Sequence, residues 1–120
     1  MCKLAEIAEG KLVADIKMDC IKNVIQQAPD CKQIERIMLV GSSLEERCNE
    51  SSEIDWAVFG SETRSKFLRS HDFKRFIDQV FLYDMDQDYD ILYFREGSQE
   101  KAGILRQVNQ GLEIYRRDMV

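Results

Sequence analysis

Two acidic side chains stand two residues apart at the start of an apolar segment, in Ser52-Glu53-Ile54-Asp55-Trp56. Side chains alternate across a β-strand, so Glu53 and Asp55 point to one face while Ile54 and Trp56 point to the other. Carboxylates held close together raise each other's pKa, unless a cation neutralises them or water screens them. Hard oxygen ligands suit Mg²⁺ or Mn²⁺, so the pair predicts a divalent metal site.

A third acid comes from another predicted strand, which runs from Tyr89 to Phe94. Asp90 stands at the head of this strand and joins Glu53 and Asp55 if the two strands lie side by side. Asp88 has the same parity along the strand and remains the alternative third acid. A metal held there would bridge the protein and the phosphates of a substrate.

A candidate phosphate-binding turn precedes the acids. The apolar run from Ile34 to Val40 predicts a buried strand that stops at Gly41. A residue without a side chain lets a phosphate approach the backbone, and the Ser42 hydroxyl and the following N–H groups can donate to it. We therefore predict phosphate-binding roles for Gly41, Ser42 and Ser43.

Helices must support these strands. The apolar spacing predicts a helix from Thr63 to Leu82, with a break around Ser70-His71-Asp72. Ser98 to Gln110 predicts a closing helix, capped by Ser98 and ended by Gly111. A short helix is also expected from Ser42 to Arg47.

The N-terminal segment, residues 1–28, is predicted to be helical as well. Apolar residues recur at helical spacing from Leu4 to Gln27, with Gly10 as an interruption and Pro29 just beyond the end. This pattern predicts one long amphipathic helix, or two helices with a break near Gly10.

The fold class predicted from these elements is α+β (mixed α/β). A strand from Glu53 to Phe59 follows the first by a loop that favours antiparallel pairing, and Glu113 to Arg116 adds an edge strand. The result is a small mixed, mainly antiparallel sheet of three to four strands flanked by helices. At 120 residues the chain suits a single domain, 1–120, with the motif-bearing core at 34–117.

Composition excludes several classes of function. The net charge of −5 argues against binding of long nucleic acid through its backbone. The first residues offer neither a signal-peptide core nor an apolar stretch for a membrane, so the expected location is the cytoplasm. The four cysteines form no C-x-x-C pair, and His71 alone supplies too few partners for a zinc site.

The order of these motifs resembles that of the nucleotidyltransferase superfamily, whose fold is DNA polymerase β-like. Its motif is an apolar strand that ends in Gly-Ser, then a spacer, then a strand that reads acid–apolar–acid–apolar. Here the motif reads Met38-Leu39-Val40-Gly41-Ser42 and, after the spacer, Glu53-Ile54-Asp55-Trp56. The resemblance covers about Ile34 to Arg117, because Tyr89-Asp90-Ile91-Leu92 is similar to the family's third-acid strand and Ile104 to Tyr115 to its closing segment.

The resemblance implies a reaction. Family members transfer a nucleoside monophosphate from a triphosphate to an acceptor hydroxyl; two acids bind metal and the third helps to activate the nucleophile. It assigns catalytic and metal-binding roles to Glu53, Asp55 and Asp90. It also implies Mg²⁺ or Mn²⁺ as cofactor, an NTP, first of all ATP, as substrate, and AMP as the transferred group. The implied partner is a small helical HEPN-type protein, as in toxin–antitoxin pairs, or a second copy of the chain.

The sequence departs from the family pattern at two places. Glu53 stands where the family usually has Asp, and its extra methylene would displace a bound metal. After Gly-Ser, small relatives often carry a basic residue and a further Gly, whereas this chain reads Ser43-Leu44-Glu45-Glu46, and two extra acids are unfavourable near a triphosphate. Two functions therefore stay open: an active nucleotidyltransferase, or a catalytically silent protein of the same fold that acts as an antitoxin-like or dimeric interaction module.

Overall fold

A computed structural model describes residues 2–97 and 102–117 of the chain. The strands in these ranges are β1 (Leu4–Ala8), β2 (Lys11–Ala14), β3 (Ile34–Val40), β4 (Ile54–Gly60), β5 (Tyr89–Arg95) and β6 (Leu112–Arg116). The α-helices are α1 (Met18–Gln27), α2 (Arg64–Arg69), α3 (His71–Tyr83) and α4 (Ala102–Asn109).

The main sheet has the strand order β5-β4-β3-β6. β3 pairs antiparallel with β4 and β6, and β4 pairs parallel with β5. Ile37, Met38 and Leu39 of β3 are all buried, as expected for a strand that is covered on both faces. The predicted class, a mixed and mainly antiparallel α+β sheet with flanking helices, is confirmed, and so is the edge strand at the C-terminal end.

The two faces of the sheet have cores of different size. The larger core joins side chains of β3 and β4, such as Leu39 and Trp56, to α1, α2 and α3. The smaller core lies on the opposite face, where Ala57 and Phe59 pack with Val108 of α4. Asp55 has the parity of Ala57, so strand alternation directs its carboxylate to the face with the smaller core.

The break predicted in the helical segment is confirmed at Ser70. Its backbone is extended, with φ −67° and ψ 143°, and its hydroxyl accepts a hydrogen bond from the Phe73 N–H at 3.1 Å. Ser70 is thus the N-cap of α3. None of the helices in the described part of the chain combines the length and the apolar content that crossing a bilayer requires.

The prediction of helix over the first part of the chain is wrong. Residues 4–14 form an antiparallel hairpin, in which Gly10 occupies the turn with φ +74°. The register shifts between Glu6 and Ala8, so Ile7 is an extra residue in β1. This bulge breaks the two-residue alternation and leaves Leu4 and Ile7 three apart, which imitates helical spacing. Helix begins only at Met18.

The short helix predicted from Ser42 to Arg47 is also wrong in extent. A single 3₁₀ turn covers Gly41–Leu44, and Glu45 is already extended, with φ −129° and ψ 151°.

The closing helix is confirmed over Ala102–Asn109, whereas its predicted cap, Ser98, lies outside the described residues. Gly111 ends it as predicted, and a Cβ there would collide with the Leu39 carbonyl oxygen, so only glycine fits against β3.

Phe67→Ala should strongly destabilise this fold. The Phe67 ring is fully buried, and its centroid lies 4.1 Å from that of Tyr93 and 4.3 Å from that of Phe73. Removing it should lower the free energy of unfolding by about 3–5 kcal/mol, measured by urea denaturation. Leu68→Ala is the matched control, because Leu68 is 40% exposed and should cost about 1 kcal/mol or less. Equal losses in both variants would contradict this packing.

Candidate metal centre

The register of two parallel strands brings the predicted acids together. Asp55 of β4 pairs directly with Asp90 of β5, and Glu53 lies one residue before β4. One carboxylate oxygen from each of the three residues lies within 4.8 Å of the others. The acid that completes the cluster is therefore Asp90. Asp88 is not part of it, although its backbone carbonyl accepts a hydrogen bond from the Ile54 N–H.

The Glu-for-Asp departure does not remove Glu53 from the cluster. Its longer side chain still places a carboxylate oxygen beside those of Asp55 and Asp90. Glu53 and Asp90 are exposed, whereas Asp55 is half-buried at the base of the group. Carboxylate oxygens are the hard donors that Mg²⁺ or Mn²⁺ prefers, so the three residues fit the implied cation by their chemistry.

Gly41 lies directly against the Asp55 carboxylate of this cluster. Its φ is +75°, a conformation that residues with a side chain rarely adopt. A Cβ at position 41 would lie 2.5 Å from Oδ2 of Asp55, which is closer than a Cβ atom can approach an oxygen. The turn after β3 therefore packs directly against the central carboxylate, and both its conformation and this close approach require glycine.

The charges of the cluster oppose ionisation of Asp55. Partial burial raises the pKa of the Asp55 carboxyl above its usual value of 3.8, and the carboxylates of Asp90 and Glu53 raise that pKa further. The positive charge of Arg47 acts in the opposite direction and lowers it. Without a cation, the site thus holds a carboxylate that is less favourable in the folded protein than in water.

Arg47 is a site residue that the sequence did not reveal. Its guanidinium pairs with the Glu45 carboxylate at 2.6 Å, and this hydrogen bond lowers the pKa of Glu45. One of the two acids that appeared unfavourable for a triphosphate is therefore paired. Arg47 is visible in the sequence, but the fold of the loop that brings its charge near Asp55 is not.

The predicted phosphate-binding residues differ in accessibility. Gly41 and Ser42 are half-buried and border the acidic cluster through the turn, but Ser43 is fully buried. The Ser43 hydroxyl has no hydrogen-bond partner in the described part of the chain. Because it is shielded from solvent, this hydroxyl does not contact a phosphate in the present conformation. Gly41 and Ser42 are the two residues of the set that remain accessible.

The chain matches no model of a known protein family and no curated protein. The nucleotidyltransferase resemblance stays a prediction that rests on the motif residues and their order. Three features of the structure bear on it: the strand that ends at Gly41, the pairing of Asp55 with Asp90, and the proximity of Glu53.

Gly41→Ala should weaken binding of Mn²⁺ by about tenfold or more, because its methyl group would displace the Asp55 carboxylate. Gly10→Ala is the matched control: Gly10 has φ +74°, yet nothing lies within 4 Å of a Cβ there. Both variants should lose about 1–2 kcal/mol of stability from backbone strain, but only Gly41→Ala should lose affinity in calorimetric titration. Equal affinities in the two variants would contradict the contact between Gly41 and Asp55.

Asp55→Asn should raise the melting temperature of the metal-free protein at about pH 7. The raised pKa of Asp55 means that the folded state binds its proton more tightly than the unfolded state does. Its contribution to stability is present below the usual pKa of 3.8 and is lost as pH rises through the higher folded pKa. The advantage of the Asn variant should therefore shrink as pH falls to about 4. Thermal unfolding in EDTA measures this difference, and Asp88→Asn, at an exposed position, is the control. An Asp55→Asn protein that is less stable than the wild type at neutral pH would refute the prediction.

Proposed function

We propose that this protein is a metal-dependent nucleotidyltransferase. It moves a nucleoside monophosphate, AMP in the first instance, from an NTP to an acceptor hydroxyl. The observation that carries the proposal is the convergence of Glu53, Asp55 and Asp90 beside the Gly41 turn. A cluster of carboxylates is common on protein surfaces, but here the Asp55 carboxylate also packs directly against the glycine turn at the end of β3, whose following N–H groups can donate to a phosphate.

The three carboxylates would hold one Mg²⁺ or Mn²⁺. Both ions prefer oxygen ligands and keep positions free for substrate phosphates. When bound, the ion neutralises charge on the triphosphate oxygens and joins them to the protein. It would also relieve the repulsion that raises the pKa of Asp55. The backbone N–H groups of the turn at Gly41 and the Ser42 hydroxyl would donate hydrogen bonds to the phosphates.

The proposed reaction is an in-line displacement at the α-phosphorus. The acceptor oxygen forms a bond to this phosphorus while the bond to the oxygen that bridges to the β-phosphate breaks, so pyrophosphate leaves with the bonding electrons. Asp90 accepts the proton of the acceptor hydroxyl, which is the role that the resemblance gives to the third acid, and its carboxylate is open to solvent. Glu53 and Asp55 would hold the divalent cation, and this cation would position the triphosphate.

The acceptor hydroxyl is proposed to belong to a separate molecule. Glu53 and Asp90 are exposed, so a hydroxyl on a partner can approach them from solvent. A small helical HEPN-type protein, as in toxin–antitoxin pairs, is the partner that the resemblance suggests. The pairing would place this chain in the role of the modifying antitoxin.

A non-catalytic interaction module is the second candidate function. Leu82 and Tyr83 end α3 and Met85 lies two residues beyond it, and these side chains are 64%, 53% and 80% exposed. Neighbouring apolar side chains with this exposure favour a protein contact surface. In that case the acidic cluster would have no ligand, and substitutions in it would leave partner binding unchanged.

Asp55→Asn should abolish Mg²⁺-dependent binding of a non-hydrolysable ATP analogue, because it removes the central carboxylate of the cluster. Asp90→Asn should weaken the same binding by about tenfold or more. Asp88→Asn is the matched control, since Asp88 lies two residues away on the same strand parity but outside the cluster. Calorimetric titration with and without Mg²⁺ measures all four proteins.

These titrations distinguish the two candidate functions. Metal-dependent binding that Asp55→Asn loses and Asp88→Asn retains supports a nucleotidyltransferase. If the wild type binds neither ATP nor another NTP analogue with Mg²⁺, the proposal fails and the interaction module is favoured. If Asp88→Asn loses binding and Asp90→Asn retains it, the third acid is assigned to the wrong residue.

A further inference from the structure

Lys17 is a buried lysine next to the acidic strands. It lies in a 3₁₀ turn between β2 and α1, and only 2% of its surface is exposed. Its ammonium donates hydrogen bonds to Oε1 of Gln87 at 2.6 Å and to the Glu50 carbonyl at 3.2 Å. None of the salt bridges within residues 2–97 and 102–117 includes Lys17. A cation removed from water and given two neutral acceptors is unfavourable, so this burial calls for a reason.

Gln87 connects this lysine to both acidic strands. It is 8% exposed, and while its Oε1 accepts from Lys17, its Nε2 donates to the carbonyl oxygens of Ser52 at 3.1 Å and Asp88 at 2.7 Å. The Asp88 carbonyl also accepts from the Ile54 N–H at 3.0 Å. One buried amide thus joins the loop before β4 to the residue just before β5.

The carbonyls that Gln87 holds are close in sequence to the cluster. Ser52 immediately precedes Glu53, and Asp88 stands two residues before Asp90. The repulsion between the three carboxylates tends to separate the starts of the two strands, and above all Glu53, which lies ahead of the ladder. Hydrogen bonds that tie Ser52 to Asp88 oppose this separation.

We propose that Lys17 and Gln87 are positioning residues of the acidic site. Gln87 holds the starts of β4 and β5 together, and Lys17 fixes the orientation of the Gln87 amide so that Nε2 faces both carbonyls. Lys17 also holds the Glu50 carbonyl in the loop that carries Glu53. The inference rests on the proposed function, because it assumes that the convergence of Glu53, Asp55 and Asp90 serves a divalent cation.

Gln87→Glu keeps the contact between residue 87 and Lys17 but removes the hydrogen bonds from residue 87 to Ser52 and Asp88. The new carboxylate keeps an acceptor for the Lys17 ammonium and strengthens that contact by charge. It loses both N–H donors, and its oxygen then faces the carbonyl oxygens of Ser52 and Asp88. The folded variant should bind Mn²⁺ at least about tenfold more weakly than the wild type in calorimetric titration without nucleotide. The Ile54 amide should also exchange its hydrogen faster, whereas amides in the middle of β3 should not.

Lys17→Met tests the proposal that Lys17 orients the Gln87 amide. Methionine fills the space of the lysine stem but donates no hydrogen bond, so the Gln87 amide loses its orientation. Mn²⁺ affinity should fall again by about tenfold. If this variant fails to fold, Gln87→Glu still decides the question, since it retains the buried pair.

Arg117→Met is the matched control for stability. Arg117 donates to the carbonyl oxygens of Ile34 at 3.0 Å and Cys31 at 2.7 Å, at the end of β3 remote from Gly41. It should lower the melting temperature and leave Mn²⁺ affinity unchanged. Wild-type Mn²⁺ affinity in folded Gln87→Glu, or an equal loss in Arg117→Met, would overturn the positioning role while the proposed function stands. A wild type that binds no Mn²⁺ would overturn both.

Discussion

The parallel pairing of β4 with β5 is the constraint on which the rest of the site depends. It places Asp55 opposite Asp90, and Glu53 follows because it adjoins the same strand. An antiparallel neighbour or a shift of one residue would send these side chains to different places, since a one-residue slip reverses every side chain on the strand. The helical segment formed by α2 and α3 is the crossover that makes parallel pairing sterically feasible, and its buried face packs on the larger core.

Assembling three carboxylates in one place has consequences for stability as well as for binding. Burial and neighbouring charge raise the pKa of Asp55, and the position beside it accepts only glycine, because of its positive φ and its close contact with the Asp55 carboxylate. Arg47 offsets part of the negative charge from the loop, but it is exposed and paired with Glu45. Repulsion that lowers stability locally is expected where a site is built for a ligand. A divalent cation would relieve the repulsion, which is why the proposed function and the stability of the metal-free fold are linked.

The sequence predicted the parts of the structure that short-range patterns control. The apolar run of β3, the acid–apolar alternation of Glu53 and Asp55, and the break at Ser70 all follow from local spacing. The N-terminal hairpin was mispredicted because a bulge at Ile7 replaces strand alternation with a three-residue step. Asp90 was separable from Asp88 only by register, which no local pattern encodes. Lys17 and Gln87 were missed since they are 70 residues apart in the chain and meet only in the folded protein.

The central claim is that Glu53, Asp55 and Asp90 together bind one divalent cation. The most direct measurement is a crystal structure of the wild type grown with Mn²⁺, with the ion located by its anomalous scattering. The account predicts one strong peak at coordination distance from an oxygen of each of the three carboxylates, and open positions on the side of Gly41 and Ser42. The absence of a peak at these residues, or a peak held only by the acids of the 84–88 loop, would contradict it.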